Sequence, residues 1–143
     1  MIVTTKGKNA LKFMVDLSMY QGERYVRLKD VAEREDISEK YLEHIVSNLQ
    51  RSQKVISARG AKGGYRLAKE PKEYTVGEIL KCIETDLSSS SCIGSGASNL
   101  CDRKTECVCY PLWLKLDQAI NGVLEYTTLQ DLIDWHNTEV PLV

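Results

Sequence analysis

Residues 37–67 read Ile37-Ser38-Glu39-Lys40-Tyr41-Leu42-Glu43-His44-Ile45-Val46-Ser47-Asn48-Leu49-Gln50-Arg51, then Ser52-Gln53-Lys54, then Val55-Ile56-Ser57-Ala58-Arg59-Gly60-Ala61-Lys62-Gly63-Gly64-Tyr65-Arg66-Leu67. Ser38 is an N-cap residue, and Ile37 before it can close on Leu42 as a hydrophobic staple. Leu42, Ile45, Val46 and Leu49 then repeat with helical spacing, which predicts a helix to about Arg51. Two short apolar runs follow, Val55-Ile56-Ser57 and Tyr65-Arg66-Leu67, joined by a glycine-rich basic connector. This pattern predicts a β-hairpin with a cationic tip. Such short strands are unstable alone, so the hairpin must pack on helices.

Upstream, residues 9–20 place apolar side chains at 10, 11, 14, 15, 17 and 19, a broad helical face stopped by Gly22. Leu28 to Arg34 forms a short second helix with Leu28, Val31 and Ala32 on one face. Three helices followed by a hairpin make a winged helix-turn-helix head, assigned to residues 1–72. The fold class is mainly α with one small β-hairpin.

Downstream, Thr75-Val76-Gly77-Glu78 reads as a capping box opening a fourth helix to about Glu84. A loop spans roughly 86–109, and Pro111 opens a longer helix to about Glu125. Its apolar residues, including Leu112, Trp113, Leu116, Ile120 and Val123, cover two faces. One small head cannot bury both, so a second copy is the natural cover and those five residues are the expected dimer interface. Thr127-Thr128-Leu129-Gln130 caps a last helix carrying Leu129, Leu132, Ile133 and Trp135. Residues 73–143 therefore read as a loop plus a helical dimerisation region.

The net charge of −1 conceals an asymmetry. Residues 1–72 carry 15 Lys and Arg against 9 Asp and Glu, while residues 73–143 carry 4 against 11. A basic front half implies a polyanionic partner, with the acidic half facing elsewhere. No apolar run is long enough to span a membrane, and the N-terminus lacks the pattern of a secretory signal, so the expected location is the cytoplasm.

Four of the five cysteines, Cys92, Cys101, Cys107 and Cys109, fall within 18 residues as C-x8-C-x5-C-x-C. Gly94, Ser95, Gly96, Ser98 and Asn99 lie between the first two, marking a loop able to fold around something. In a reducing compartment, grouped thiols serve metals or redox chemistry more often than disulfides. The remaining Cys82, beside Leu80 and Ile83, reads as a small buried apolar residue.

These landmarks, in this order, carry a resemblance. Thr4-Thr5-Lys6-Gly7, Ile37 to Glu43, the Arg59-Gly60…Gly63-Gly64-Tyr65 wing and Thr127 to Leu132 resemble the IscR/NsrR/CymR family of bacterial winged-helix transcription regulators over nearly the whole chain. The resemblance implies a homodimer that binds a double-stranded DNA operator, with long antiparallel helices between two DNA-reading heads. In the cluster-binding branch three loop cysteines hold an iron–sulfur cluster, [2Fe-2S] or [4Fe-4S]. Here they would be Cys92, Cys101 and Cys107. One branch adds a histidine three residues past the third cysteine, where this chain has Tyr110; another takes an aspartate from the partner's first helix, where this chain has Lys8. Neither residue suits iron, which leaves Cys109 as a candidate for a further ligand.

The expected DNA contacts are Lys6, Ser38, Lys40, Tyr41, Glu43, His44, Arg59, Gly60 and Lys62. Ser38 is first a helix cap, but a cap at that place also meets phosphates or base edges. Glu43 could be a solvated helix residue; near phosphates a carboxylate is better explained by accepting from cytosine N4. Arg59 and Lys62 in a glycine-rich tip suit a minor groove or the backbone. No catalytic triad, P-loop or dinucleotide fingerprint occurs, so an enzyme is not indicated. A cluster-free thiol-redox regulator is the alternative reading. An iron–sulfur electron carrier would explain the cysteines but not the wing.

Overall fold

The computed structural model describes residues 3–93 and 103–138. Helices α1 (Thr5–Tyr20), α2 (Leu28–Glu35) and α3 (Glu39–Arg51) lead into strands β1 (Val55–Ala58) and β2 (Gly64–Leu67). After a 3-10 turn at Pro71–Glu73 come α4 (Val76–Leu80), α5 (Tyr110–Tyr126) and α6 (Leu129–Thr138). The architecture is the expected one: helical, with a two-stranded antiparallel wing.

The core forms where the helical periodicities converge. Phe13, Met14 and Leu17 of α1 meet Val31 of α2, and Leu42, Ile45 and Leu49 of α3 join them with no exposed surface. At the base of the wing, Val55 pairs with Leu67, and both are buried. Leu129 of α6 is buried in the same core, so the rear of the chain closes onto α1. Asp16, the one buried charged residue among those described, is held by Arg34 from α2 through two hydrogen bonds of 2.8 and 2.7 Å. Those bonds raise the Arg34 pKa against the burial that would lower it, and the guanidinium also lies 4.0 Å over the Tyr20 ring. A buried carboxylate is tolerable only when paired in this way.

The wing is fixed on three sides. Val26 adds an isolated antiparallel bridge to β2 through reciprocal 2.8 Å hydrogen bonds with Tyr65. Gly64, at φ +144°, lies so close to the Val26 carbonyl that any side chain would collide with it, which explains the glycine there. Behind the wing, the Tyr74 hydroxyl donates to Lys54 O at 2.5 Å and accepts from Ala68 N–H at 2.9 Å and Lys69 N–H at 3.2 Å. Glu78 of α4 pairs with Lys54 and Lys69, one before and one after the hairpin.

Several boundaries depart from the sequence expectations. The first helix begins at Thr5 rather than residue 9, because Thr4 caps it by accepting from Gly7 N–H at 3.1 Å. The fourth helix ends at Leu80 instead of near Glu84, continuing only as turns to Ile83. Its capping box is half formed: Thr75 accepts from Glu78 N–H at 3.0 Å, but the Glu78 carboxylate is drawn to the two lysines. At α6 the reciprocal cap is Thr128 with Asp131, and Gln130 instead donates to Asp134. Cys82 is half-buried against the core, its thiol donating to Glu78 O at 3.3 Å.

No residue of α5 is buried in the single chain. Leu112 is 57% exposed and Val123 64% exposed, far more apolar surface than a helix of a closed monomer presents. The helix is nevertheless anchored at its end, where Val76 N–H donates to Thr127 O at 2.8 Å and Lys81 pairs with Glu125.

Candidate nucleic-acid interface and thiol segment

Burial sorts α3 into two faces. Leu42, Ile45, Val46 and Leu49 point into the core, while Lys40, Tyr41, Glu43, His44 and Ser47 are exposed. Lys40, Glu43, His44 and Ser47 follow i, i+3, i+4, i+7, so one solvent-facing stripe carries a cation, a carboxylate, an imidazole and a hydroxyl. That mixture of donors and acceptors suits base edges in a major groove. Ser38 caps the stripe's leading end, accepting from Tyr41 N–H at 3.3 Å. Lys6 is half-buried in the first turn of α1.

The wing stands beside this helix. Gln50 of α3 donates to Ser57 of β1 at 2.9 Å, so the two are joined directly. Arg59, Gly60 and Lys62 occupy the tip and are all exposed. The tip is braced by a residue that the sequence did not single out: Arg27, just before α2, donates from its guanidinium to Ala61 O at 3.0 Å. A signal existed, since Arg24 and Arg27 lie in the basic half, but nothing in the spacing linked them to a tip 34 residues away.

The residues leading to Cys92 are fastened to α5. Ser89 N–H donates to Asp117 at 3.0 Å and its hydroxyl to Trp113 O at 3.2 Å, while Asn121 holds the other Asp117 oxygen at 2.8 Å. Cys92 follows, half-buried, its N–H on Ser90 Oγ at 3.3 Å. Across the loop, Cys107 and Cys109 are exposed, and Cys109 occupies the cap position of α5. Cys101 lies outside the described residues. Cys92, Cys107 and Cys109 are all free thiols, the donor chemistry that iron–sulfur clusters use. Among the described residues, no three metal-binding side chains gather into a site.

The five residues expected at a dimer interface lie on α5. Leu112, Leu116 and Val123 are exposed, and Trp113 and Ile120 are half-buried. No helix among the described residues is long and apolar enough to cross a membrane.

Comparison with known proteins agrees with this layout. The IscR transcriptional regulator of Serratia proteamaculans is 34% identical over 134 residues, covering 94% of this chain and 80% of that protein. Among solved structures, CymR, the global cysteine regulator of B. subtilis, is 35% identical with a TM-score of 0.77, covering 94% of this chain and 98% of the other. T. potens IscR is 34% identical with a TM-score of 0.76 and covers 100% and 93% of the two chains. The oxidized form of Staphylococcus aureus CymR is 32% identical with a TM-score of 0.70, covering 92% and 95%. The family described as Rrf2, iron-dependent transcriptional regulator, matches residues 3–135. The relatives are regulators and not enzymes, and this chain belongs to the Rrf2 family of transcriptional regulators.

Proposed function

We propose that this protein represses transcription as a cytoplasmic homodimer, docking α3 and the wing of each protomer on a double-stranded DNA operator under the control of its loop cysteines. The observation that carries the DNA reading is the exposed polar stripe of α3 standing beside a cationic wing tip. Lys40, Tyr41, Glu43 and His44 would meet base edges and phosphates of the major groove, with Ser38 at the leading end. Arg59, Gly60 and Lys62 would approach the adjacent minor groove or the backbone beside it, and Lys6 a flanking phosphate. Leu112, Trp113, Leu116, Ile120 and Val123 would cover one another across the dimer axis, setting the spacing of the two half-sites.

For control, an iron–sulfur cluster held by Cys92, Cys101 and Cys107, with Cys109 as a further candidate, is the reading that the donor set supports best. When bound, such a cluster supplies redox and iron-dependent chemistry at the loop. The chain's own part is mechanical: the loop is fastened to α5 by Ser89 and to α4 by continuity, so ordering it can bias how the heads sit. That bias cannot exceed the difference in affinity between the two arrangements. A cluster-free thiol switch is a second reading, favoured by the exposure of Cys107 and Cys109 as free thiols.

Anaerobic purification followed by iron and sulfide quantification separates the two. The cluster reading expects both elements bound, and lost on Cys92→Ala, Cys101→Ala or Cys107→Ala. Iron-free protein whose DNA affinity changes with mild oxidant would replace it with the thiol switch.

A further inference from the structure

We propose that a cleft between the segment preceding α2 and the wing tip is a clamp for the DNA backbone, in which Arg24 contacts one phosphate, Arg59 and Lys62 contact its neighbour, and Arg27 positions the tip. This rests on the operator-binding reading above and adds to it two residues, Arg24 and Arg27, and a place for the backbone. The cleft is about 850 Å³ and is lined by Glu23, Arg24, Tyr25 and Arg27 on one side and by Arg59 and Lys62 with neighbouring tip residues on the other. Four cations against one carboxylate give the lining a formal net charge of +3.

These cations have no ion-pair partner among the described residues, although Glu23 stands beside them. Elsewhere, Lys54 and Lys69 share the single charge of Glu78, Lys72 pairs with Glu70, Lys81 with Glu125 and Arg34 with Asp16. Among the described residues, Arg24, Arg27, Arg59 and Lys62 form no ion pair. All four are exposed. The cleft therefore keeps an excess of positive charge. Like charges gathered around one concavity repel, and an anion entering from outside relieves that repulsion.

The chemistry of the lining suits a phosphate. It offers guanidinium and ammonium donors, which bind phosphate on any sequence, and has no Asn or Gln to read adenine. Arg27 has a separate part. Its bond to Ala61 O uses a neutral acceptor, so the guanidinium keeps its charge while holding the tip at 3.0 Å. A planar fork of donors can grip a carbonyl on one edge and face an anion on another; a lysine cannot do both in a fixed geometry.

The test is the salt dependence of binding by the full chain, measured on a random-sequence duplex and on a selected operator. Counterion release predicts that Arg24→Ala lowers the slope of log affinity against log salt by about 0.9, equally on both duplexes. Lys72→Ala, which removes a paired cation outside the cleft, is expected to leave the slope unchanged. Arg27→Lys should keep the slope but weaken binding, because the charge stays while the hold on Ala61 is loosened; Arg27→Ala should lose both. Thermal unfolding of each variant excludes loss of the fold as the cause. A wild type that binds with a steep slope, and an Arg24→Ala variant with the same slope, overturns the clamp alone. A wild type that binds neither duplex at any salt concentration overturns the operator reading and the clamp with it.

Discussion

The carboxylate of Glu84 accepts hydrogen bonds from both the backbone N–H and the hydroxyl of Thr4, at 2.9 and 2.8 Å. Thr4 is the cap of α1, and Glu84 lies between α4 and the thiol segment. The contact thereby ties the loop that leads to Cys92 to the turn that carries Lys6. It also explains Gly7, where a methyl group would fall on the Glu84 carboxylate. A carboxylate at this end of a helix meets unsatisfied N–H groups and the positive end of the helix dipole.

Removing either partner tests this tie. Thr4→Ala and Glu84→Ala should each destabilise by about 0.5–1.5 kcal/mol, the usual net worth of such hydrogen bonds. Because they share one interaction, the double variant should cost less than the sum of the singles. Urea denaturation of the four proteins measures the coupling, and strict additivity would show the two residues to be independent. Gly7→Ala should imitate Glu84→Ala by displacing the carboxylate.

The pairing of Glu78 with Lys54 and Lys69 gives stability an acid limb. Burial would push the Glu78 carboxyl up, but hydrogen bonds and charge from the two lysines outweigh it, so the group ends below its ordinary value. A carboxyl whose pKa is lower when folded stabilises fully above its unfolded pKa, about 4.3 for glutamate. That contribution is lost as pH falls through the folded value. Glu78→Gln should therefore flatten the fall in stability below about pH 4. Near neutrality it should cost about 1 kcal/mol or less, as for other partly exposed pairs. Melting curves across the acid range decide this; an unchanged acid limb would assign it to other carboxyls.

The unsatisfied face of α5 predicts what a second copy must cover. Leu116 is 42% exposed in the single chain, and covering such a leucine is worth about 1.5–3 kcal/mol. Leu116→Glu removes that gain twice in a two-fold dimer and adds the cost of burying a charge. Analytical ultracentrifugation should show a shift toward monomer, with the helical content retained. An undisturbed dimer would move the interface off this stripe.

Where local signals agreed, sequence and structure coincide. The third helix runs from its Ser38 cap to Arg51 because cap, staple and apolar spacing all name the same span. The wing was legible because glycine is needed where Gly64 approaches Val26 and where Gly63 approaches Ala58. Long-range contacts defeated the rest. Thr5-Lys6-Gly7-Lys8 has no apolar spacing and a glycine that disfavours helix, yet it is helical because Glu84, 80 residues away, supports its cap. Glu78 looked like half of a capping box because its lysine partners stand 24 and 9 residues away. Cys101 lies outside the described residues, and Cys92, Cys107 and Cys109 do not gather into a metal site among those described. The Arg27 brace was invisible for the same reason as Glu84: spacing along a chain does not report a hydrogen bond across a turn.

Glu43 is the residue whose replacement best separates reading from holding. It is exposed on the stripe of α3 with Lys40, His44 and Ser47, and among the described residues it has no ion-pair partner. A carboxylate there is repelled by phosphates on every duplex, so only a specific donor can make its presence favourable, and cytosine N4 is the base-edge donor that suits it. Glu43→Ala removes that preference and the repulsion together. Binding to the selected operator should weaken by about 1–3 kcal/mol, while binding to a duplex with the cytosine exchanged should hold steady or tighten. Competition between the two duplexes measures the ratio directly. Equal losses on both would make Glu43 a structural residue of the helix and not a reader of sequence.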